Sequence, residues 1–330
     1  MIMQLRRWLY NKGIITSHRL PGVVISVGNL EVGGTGKSPM VQAIGEYLRQ
    51  KGYSVAILTR GFRSGLSSED VAVLLDGKLI LSSRKLSKFH ADEAMMQSNY
   101  LPKIPIIIGA KRYAAANFFM KKKPAPDIWI LDDGFQHLRI KRDIDLVLLD
   151  DKAPFDDGFV LPSGRLREPA KTLKHADMVA FTRANEKLER ASKADPFISP
   201  TAYKERICYI NPEPYQIAGP YVKTHYKDLS FTVVLGIAKP QSLLETLSSH
   251  QISITSVYIA GDHQTFEFDK IKEKSAHNDA ILTTSKDYFR DKDFFTNFSQ
   301  PIYILPLKLD ISEEFFEQLQ ARIDDTVKII

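Results

Sequence analysis

Cysteine is nearly absent: Cys208 is the only one in 330 residues. A single thiol excludes an intramolecular disulfide and fits a reducing compartment. Clusters of Cys and His at zinc-ligand spacing are also missing. No uncharged run of ~18 apolar residues occurs, so no membrane-spanning helix is expected. Neither a signal-peptide core nor a cleavage site is present. Acidic residues are missing from the N-terminal stretch, where Arg6, Arg7, Lys12 and Arg19 all precede the first acid, Glu31. Internal repeats and low-complexity tracts are absent as well.

What remains is ordinary globular material. Hydrophobic residues make up 44% and charged residues 25% of the chain, enough for a substantial core in a soluble protein of one large or two smaller domains. The net charge of +6 favours anionic partners: phosphates, nucleic acid or acidic lipid surfaces. It is sharpest at the N-terminus, where the basic residues are interleaved with Met1, Ile2, Met3, Leu5, Trp8, Leu9 and Tyr10. Such a segment suits a membrane interface. It equally suits a helix packed on the protein's own core with its Arg and Lys solvated.

Strand and helix patterns alternate through the first half. Strands are expected at Val23–Val27, Val55–Thr59, Ile106–Ile108, Ile128–Leu131, Leu146–Leu149 and Met178–Phe181. Helices fit Pro39–Lys51, Glu93–Tyr100, Arg112–Lys121 and Asn185–Ala194. Continuous Val/Ile/Leu runs predict a parallel sheet covered by helices on both faces. Asp76-Gly77 between apolar runs predicts a β-hairpin. A proline-rich seam at 195–225 precedes a second alternation: Thr232–Leu235, Gln241–Ser248, Ser256–Ile259, Ala280–Thr283, Ile302–Leu305 and Glu313–Arg322. The expected organisation is a basic interfacial segment at 1–20, a nucleotide-binding domain at 21–215, and a smaller α/β domain at 216–330 that closes over a cleft between the two.

Residues 28–39, Gly-Asn-Leu-Glu-Val-Gly-Gly-Thr-Gly-Lys-Ser-Pro, follow the first strand and open the first helix of this alternation. Strand, glycine loop, Lys-Ser and helix come in the order of a nucleotide phosphate-binding loop. Gly33, Gly34 and Gly36 let the backbone N–H groups turn inward, and the helix N-terminus adds partial positive charge. Lys37 would reach the outer phosphates and Ser38 a Mg²⁺ ion. One position departs from the usual pattern: Glu31 stands where the first glycine is expected.

Asp132 and Asp133 end a second apolar run, Asp-Ile-Trp-Ile-Leu-Asp-Asp-Gly-Phe-Gln-His. Acids at a parallel strand's carboxyl end, beside a phosphate loop, are placed to hold Mg²⁺ directly or through water. Asp92-Glu93 opens a helix. These acids either complement its positive end or serve as general base and metal contact. Arg60-Gly61-Phe62 follows the second strand, and Arg165 and Arg167 occupy a further loop suited to phosphate. Asp262-His263 and Thr283-Thr284-Ser285-Lys286-Asp287 follow strands of the second alternation and are candidates for a polar cleft. Lys286 and Asp287 are adjacent, so a guanine-reading motif is not supported.

These segments, in this order over residues 26–287, resemble the tetraacyldisaccharide 4′-kinase family, the lipid A 4′-kinases of Gram-negative bacteria. The carriers are Ser26 to Asn29 with Val32 to Pro39, Arg60-Gly61-Phe62, Asp92-Glu93, Asp132 to His137, Pro162 to Pro169, Gly236 to Pro240, Asp262-His263 and Thr283 to Asp287. Asp-Asp-Gly-Phe-Gln-His is the most specific of them. The resemblance implies an α/β phosphate-loop fold plus a smaller α/β domain. It implies transfer of the ATP γ-phosphoryl group to the 4′-hydroxyl of an acylated glucosamine disaccharide 1-phosphate at the cytoplasmic face of the inner membrane, giving lipid IVA. Carried over residue by residue, Asp92 is the general base, supported by His263, and Lys37 binds phosphate with Gly33, Gly34, Thr35, Gly36 and Ser38. Ser38, Glu93, Asp132 and Asp133 surround Mg²⁺, while Gln136, Arg167, Asn29 and Arg60 complete the phosphate and substrate environment. Phe62, Ala94 and Gln264 depart from the family pattern, which commonly has Tyr, Pro and a second His there. Expected partners are the lipid substrate and an anionic membrane surface, with no nucleic acid. The expected association is peripheral, and a monomer is favoured. The alternative is another phosphate-loop ATPase or small-molecule kinase acting at the membrane surface.

Overall fold

The computed structural model describes residues 2–33, 35–61, 64–85, 89, 91–184, 194–210, 213–237, 240–261, 264–306 and 308–329. The chain opens with α1 (Ile2–Asn11), followed by β1 (Val23–Asn29), α2 (Lys37–Gln50) and β2 (Val55–Thr59). A hairpin follows, β3 (Ala72–Leu75) and β4 (Lys78–Ser82), turned at Asp76 and Gly77 with φ of 50° and 70°. Next come α3 (Asp92–Tyr100), β5 (Ile106–Ile108), α4 (Arg112–Met120), β6 (Ile128–Asp132), β7 (Ile144–Asp150), β8 (Met178–Thr182) and β9 (Tyr203–Ile210). The helix expected at 185–194 falls almost wholly outside the described residues.

The second stretch contains β10 (Tyr215–Ala218), β11 (Ser230–Leu235), α5 (Pro240–Ser249), β12 (Ser253–Ile259), α6 (Phe268–Ser275) and β13 (Ala280–Thr284). It continues with α7 (Ser285–Arg290), α8 (Lys292–Thr296) and β14 (Ile302–Leu305), before the chain ends in β15 (Lys308–Asp310) and α9 (Glu313–Ile329). Two compact units result: residues 1–209 with 309–330, and residues 210–308. Residues 309–330, read from the sequence as part of a 216–330 unit, group here with the first. Helix α9 buries Phe315, Leu319 and Ile323 in the same core as Val23, Ile25 and Met40. Its Phe316 stacks on Tyr47 at 4.4 Å. The spacing of those three apolar residues fixes one face of a helix. It does not say which sheet that face covers.

The first unit is built on a ten-stranded sheet in the order β15-β9-β8-β7-β1-β6-β2-β5-β3-β4. Strands β1, β2, β5, β6, β7, β8 and β9 run parallel to one another within that run, and β3 pairs antiparallel with both β5 and β4 at one edge. Central strands β1, β6 and β7 are buried at every position, so both faces demand apolar side chains. Helix α2 meets one face through Met40, Val41, Ile44, Gly45 and Leu48. Because the strands are parallel, their carboxyl ends share one sheet edge. The chain leaves β1 and crosses over β6 to reach β2, so the order reverses at β1 and opens a crevice there.

The second unit holds a five-stranded sheet, β10-β14-β13-β11-β12, parallel except for β10. Here Asp287 proves structural. It is fully buried. Its Oδ2 accepts from the Gly236 N–H at 3.0 Å and the Thr284 hydroxyl at 2.9 Å. Thr284 in turn accepts from the Asp287 N–H at 3.1 Å and caps α7. A carboxylate so engaged ties the loop after β11 to the start of α7 instead of lining an open cleft.

Candidate active site

The loop between β1 and α2 is held from several sides. Gly36 is the N-cap of α2 at φ 85°, ψ 19°, and no side chain caps that helix. A left-handed residue there favours glycine. The uncapped first turn leaves N–H groups free to meet an anion. The Asn29 amide donates to Thr35 Oγ1 at 2.9 Å, and the Thr182 hydroxyl donates to the Thr35 carbonyl at 3.0 Å. Gln136 Nε2 donates to the Asn29 carbonyl at 2.9 Å. The 134–137 turn must lie against β1 for that bond, and Gly28 permits it: a Cβ at position 28 would stand 2.5 Å from Phe135 Cβ.

Glu31 sits in a part of the loop that needs no glycine. Residues 30–32 pair with 165–167 through an antiparallel bridge, Glu31 with Leu166. The Val32 N–H donates to the Arg165 carbonyl at 2.9 Å and the Arg167 N–H to the Leu30 carbonyl at 2.6 Å. This part of the loop is extended, a conformation open to any L-residue, so a glycine is not required at 31.

Around the start of α2 three described acids, Asp132, Asp133 and Glu93, lie with three cations, Lys37, Arg112 and Arg167. Lys37 Nζ lies 3.7 Å from Asp133 Oδ1, and Arg167 Nη1 lies 2.6 Å from Asp133 Oδ2. The Ser38 hydroxyl donates to Glu93 Oε1 at 3.3 Å. Gln97 Nε2 donates to Asp132 Oδ2 at 2.9 Å. Arg112, buried at the start of α4, donates through its guanidinium to the Asp132 and Asp133 carbonyls. Asp133 itself sits at φ 52°, turning the chain off β6. Asp92 precedes Glu93 as the first residue of α3, though its side chain is outside the described set. No side chain caps α3, and Ala91 is its N-cap. Glu93 turns toward Ser38.

The two aspartates differ electrostatically. Burial, reinforced by the Glu93 charge, pushes the Asp132 carboxyl up to about 6. Burial also acts upward on Asp133, but the charges of Lys37 and Arg167 outweigh it and hold that carboxyl below the ordinary range. Burial, with Arg112 and Arg6 nearby, drives His137 down to about 3, so it stays neutral. Arg60 follows β2 at the same sheet edge and is exposed. Gly34 and His263 lie outside the described residues.

Three residues near the site carried no sequence signal strong enough to select them: Gln97, Arg112 and Thr182. Gln97 had the best clue. It stands four positions after Glu93, so both share one helical face. Arg112 and Thr182 act through backbone carbonyls far away in sequence, which no local pattern reveals.

A parallel sheet with a glycine loop, Lys37 and Ser38 at its reversal point, facing two acids on the adjacent strand end, defines a phosphate-loop nucleotide-binding protein. Comparison with known proteins narrows that class. Residues 1–324 match the model of the family described as tetraacyldisaccharide-1-P 4′-kinase. A tetraacyldisaccharide 4′-kinase of Desulfotalea psychrophila is 34% identical over 325 residues, 96% of this chain and 91% of the relative. One from Pelobacter propionicus is 32% identical over 318 residues, 95% of this chain and 86% of the relative. Among solved structures, the "apo" form of Aquifex aeolicus LpxK in complex with ATP superposes with a TM-score of 0.72 at 26% identity, covering 98% of this chain and 95% of that one. The chain belongs to the tetraacyldisaccharide-1-P 4′-kinase family.

Proposed function

We propose that this chain is the ATP-dependent kinase that phosphorylates the 4′-hydroxyl of tetraacyldisaccharide 1-phosphate, forming lipid IVA. The observation that carries the site assignment is the meeting of Lys37 and Arg167 on Asp133, beside the uncapped start of α2. Two cations on one carboxylate are a resting arrangement. When nucleotide enters, its phosphates offer the greater negative charge, and Lys37 and Arg167 turn to them. Gly33, Gly34, Thr35 and Gly36 would supply the backbone cradle; Asn29 holds Thr35, and Gln136 holds the Asn29 carbonyl.

Asp92 accepts the proton of the 4′-hydroxyl, with His263 in support. The sugar oxygen then bonds to the γ-phosphorus while the bond from that phosphorus to the β–γ bridging oxygen breaks, releasing ADP. Ser38, Glu93, Asp132 and Asp133 are the residues that would hold Mg²⁺. Among the described residues no three acidic, His or Cys side chains form a ready-made cage. Mg²⁺ needs none, because it keeps several waters and takes one or two carboxylates plus substrate phosphates. The donor set fits: hard oxygens only, with Asp132 and Glu93 repelling each other until a cation arrives. When bound, Mg²⁺ neutralises charge on the β- and γ-phosphates. Arg60 stands at the rim for the anionic substrate.

The enzyme acts as a peripheral protein at the cytoplasmic face of the inner membrane. No helix among the described residues is long and apolar enough to cross a membrane. Helix α1 instead turns Leu5 and Trp8 to solvent, 57% and 50% exposed. This supports interfacial docking, with one correction to the expected pattern: Arg7 is buried and unavailable to lipid. The site reading is tested with Asp92→Asn. Turnover should fall by ~100-fold or more while nucleotide affinity stays near the parent's, measured by phosphoryl transfer and calorimetry. Parental turnover would remove Asp92 from the mechanism.

A further inference from the structure

Arg7 has no part in the chemistry above, yet it is one of the best-placed residues near it. It is on α1, and its buried guanidinium donates from Nη2 to Glu168 Oε2 at 2.8 Å and to the Phe135 carbonyl at 3.3 Å. The same guanidinium lies over the Phe135 ring, 4.8 Å from its centroid. The preceding residue, Arg6, donates to the Gln136 carbonyl at 3.2 Å. One turn of α1 therefore grips both loops that frame the site. Phe135 and Gln136 stand two and three residues after Asp133, and Gln136 holds the Asn29 carbonyl. Glu168 follows Arg167, which holds Asp133.

Stability alone does not account for such a pair. A buried ion pair seldom outperforms apolar side chains of the same size. This one is also incompletely satisfied, since Arg7 Nε and Glu168 Oε1 are buried without a partner among the described residues. We infer that Arg7 and Glu168 are positioning residues: they seat α1 on the two loops that carry Arg167 and Gln136, so that the placement of α1 and the binding of nucleotide are energetically linked. This rests on the Lys37–Asp133 reading of the site. By reciprocity, nucleotide must then stabilise α1 to the same extent that seated α1 favours nucleotide. An N-terminal helix of this kind does more than hold an enzyme at a surface: it reports its own seating to the phosphate site.

The test uses the full chain in detergent, with detergent-dispersed tetraacyldisaccharide 1-phosphate, so that vesicle binding plays no part. Arg7→Met, Arg7→Lys and Arg6→Ala are compared with the parent for kcat and for KM of Mg-ATP. Amide hydrogen exchange of residues 2–11 is followed with and without Mg-ADP. Expected results are a ~10–100-fold loss of kcat/KM for Mg-ATP in Arg7→Met, partial recovery in Arg7→Lys, and a smaller loss in Arg6→Ala. Mg-ADP should slow exchange of α1 in the parent and not in Arg7→Met. Should Arg7→Met fail to fold, Arg6→Ala and the exchange response of the parent still decide. Parental kinetics in the variants that fold, or α1 exchange in the parent indifferent to Mg-ADP, would overturn the inference. Lys37→Ala separates the two readings: if it too keeps parental activity, the site assignment fails. If it is inactive while Arg7→Met is parental, only the link through α1 fails.

Discussion

Asp132 illustrates how a catalytic site is held against the preference of the folded chain. Burial at the end of β6, reinforced by the Glu93 charge, raises its carboxyl pKa from 3.8 to about 6. A carboxyl raised by folding stabilises the protein below its unfolded pKa, and that contribution is lost as pH rises through the folded value. The metal-free protein therefore loses stability between about pH 4 and 6 on account of this group. The interval corresponds to ~3 kcal/mol. Asp132→Asn should recover up to that amount at pH 7, seen as a higher urea midpoint without Mg²⁺, while abolishing Mg-ATP-dependent transfer. A variant no more stable than the parent at pH 7 would show that the ionised carboxylate is already compensated. Asp133 differs, because Lys37 and Arg167 have already neutralised it.

The elements divide into those that announce themselves and those that do not. β1, β2, β5, β6 and β7 are rich in Val, Ile and Leu, and β8 is Met-Val-Ala-Phe-Thr, because both faces of the sheet are covered, and such apolar runs are legible without a structure. The phosphate loop is legible for the same local reason: its chemistry is written in consecutive residues. β9 is not, since Tyr203-Lys204-Glu205-Arg206-Ile207 interleaves charge with apolar residues near the sheet edge. The destination of α9 is not legible either, because an amphipathic pattern marks a buried face and leaves the partner open. The contacts of Gln97, Arg112 and Thr182 with the site are likewise long-range. That α9 completes the first unit is open to measurement. Phe315 is fully buried in the β1 core, and Phe315→Ala should cost about 3–5 kcal/mol in denaturant unfolding. A loss below ~1 kcal/mol would mean that α9 merely rests on the sheet.

For the molecule as a whole, charge and exposed apolar surface on α1 have exchanged the places expected of them. A basic amphipathic segment normally presents its cations to an acidic surface. Here Arg7 is turned inward to Glu168, Arg6 reaches Gln136, and Leu5 and Trp8 face out. Membrane association should therefore depend more on those two apolar side chains than on Arg7. Leu5→Gln combined with Trp8→Gln should weaken flotation with anionic vesicles by about tenfold or more. Arg7→Met should leave flotation near the parent's. The reverse pattern would place Arg7 at the lipid and contradict the inward pairing.

The Lys37–Asp133 site is proposed to hand the ATP γ-phosphoryl group to a sugar hydroxyl on a lipid. Its most direct test incubates the purified full-length protein with γ-labelled Mg-ATP and detergent-dispersed tetraacyldisaccharide 1-phosphate, then resolves the lipid products. Label should appear on the 4′-position of the disaccharide, at a rate reduced ~100-fold or more by Lys37→Ala. ATP hydrolysis with no label entering the lipid, or label transfer undiminished in Lys37→Ala, would contradict it.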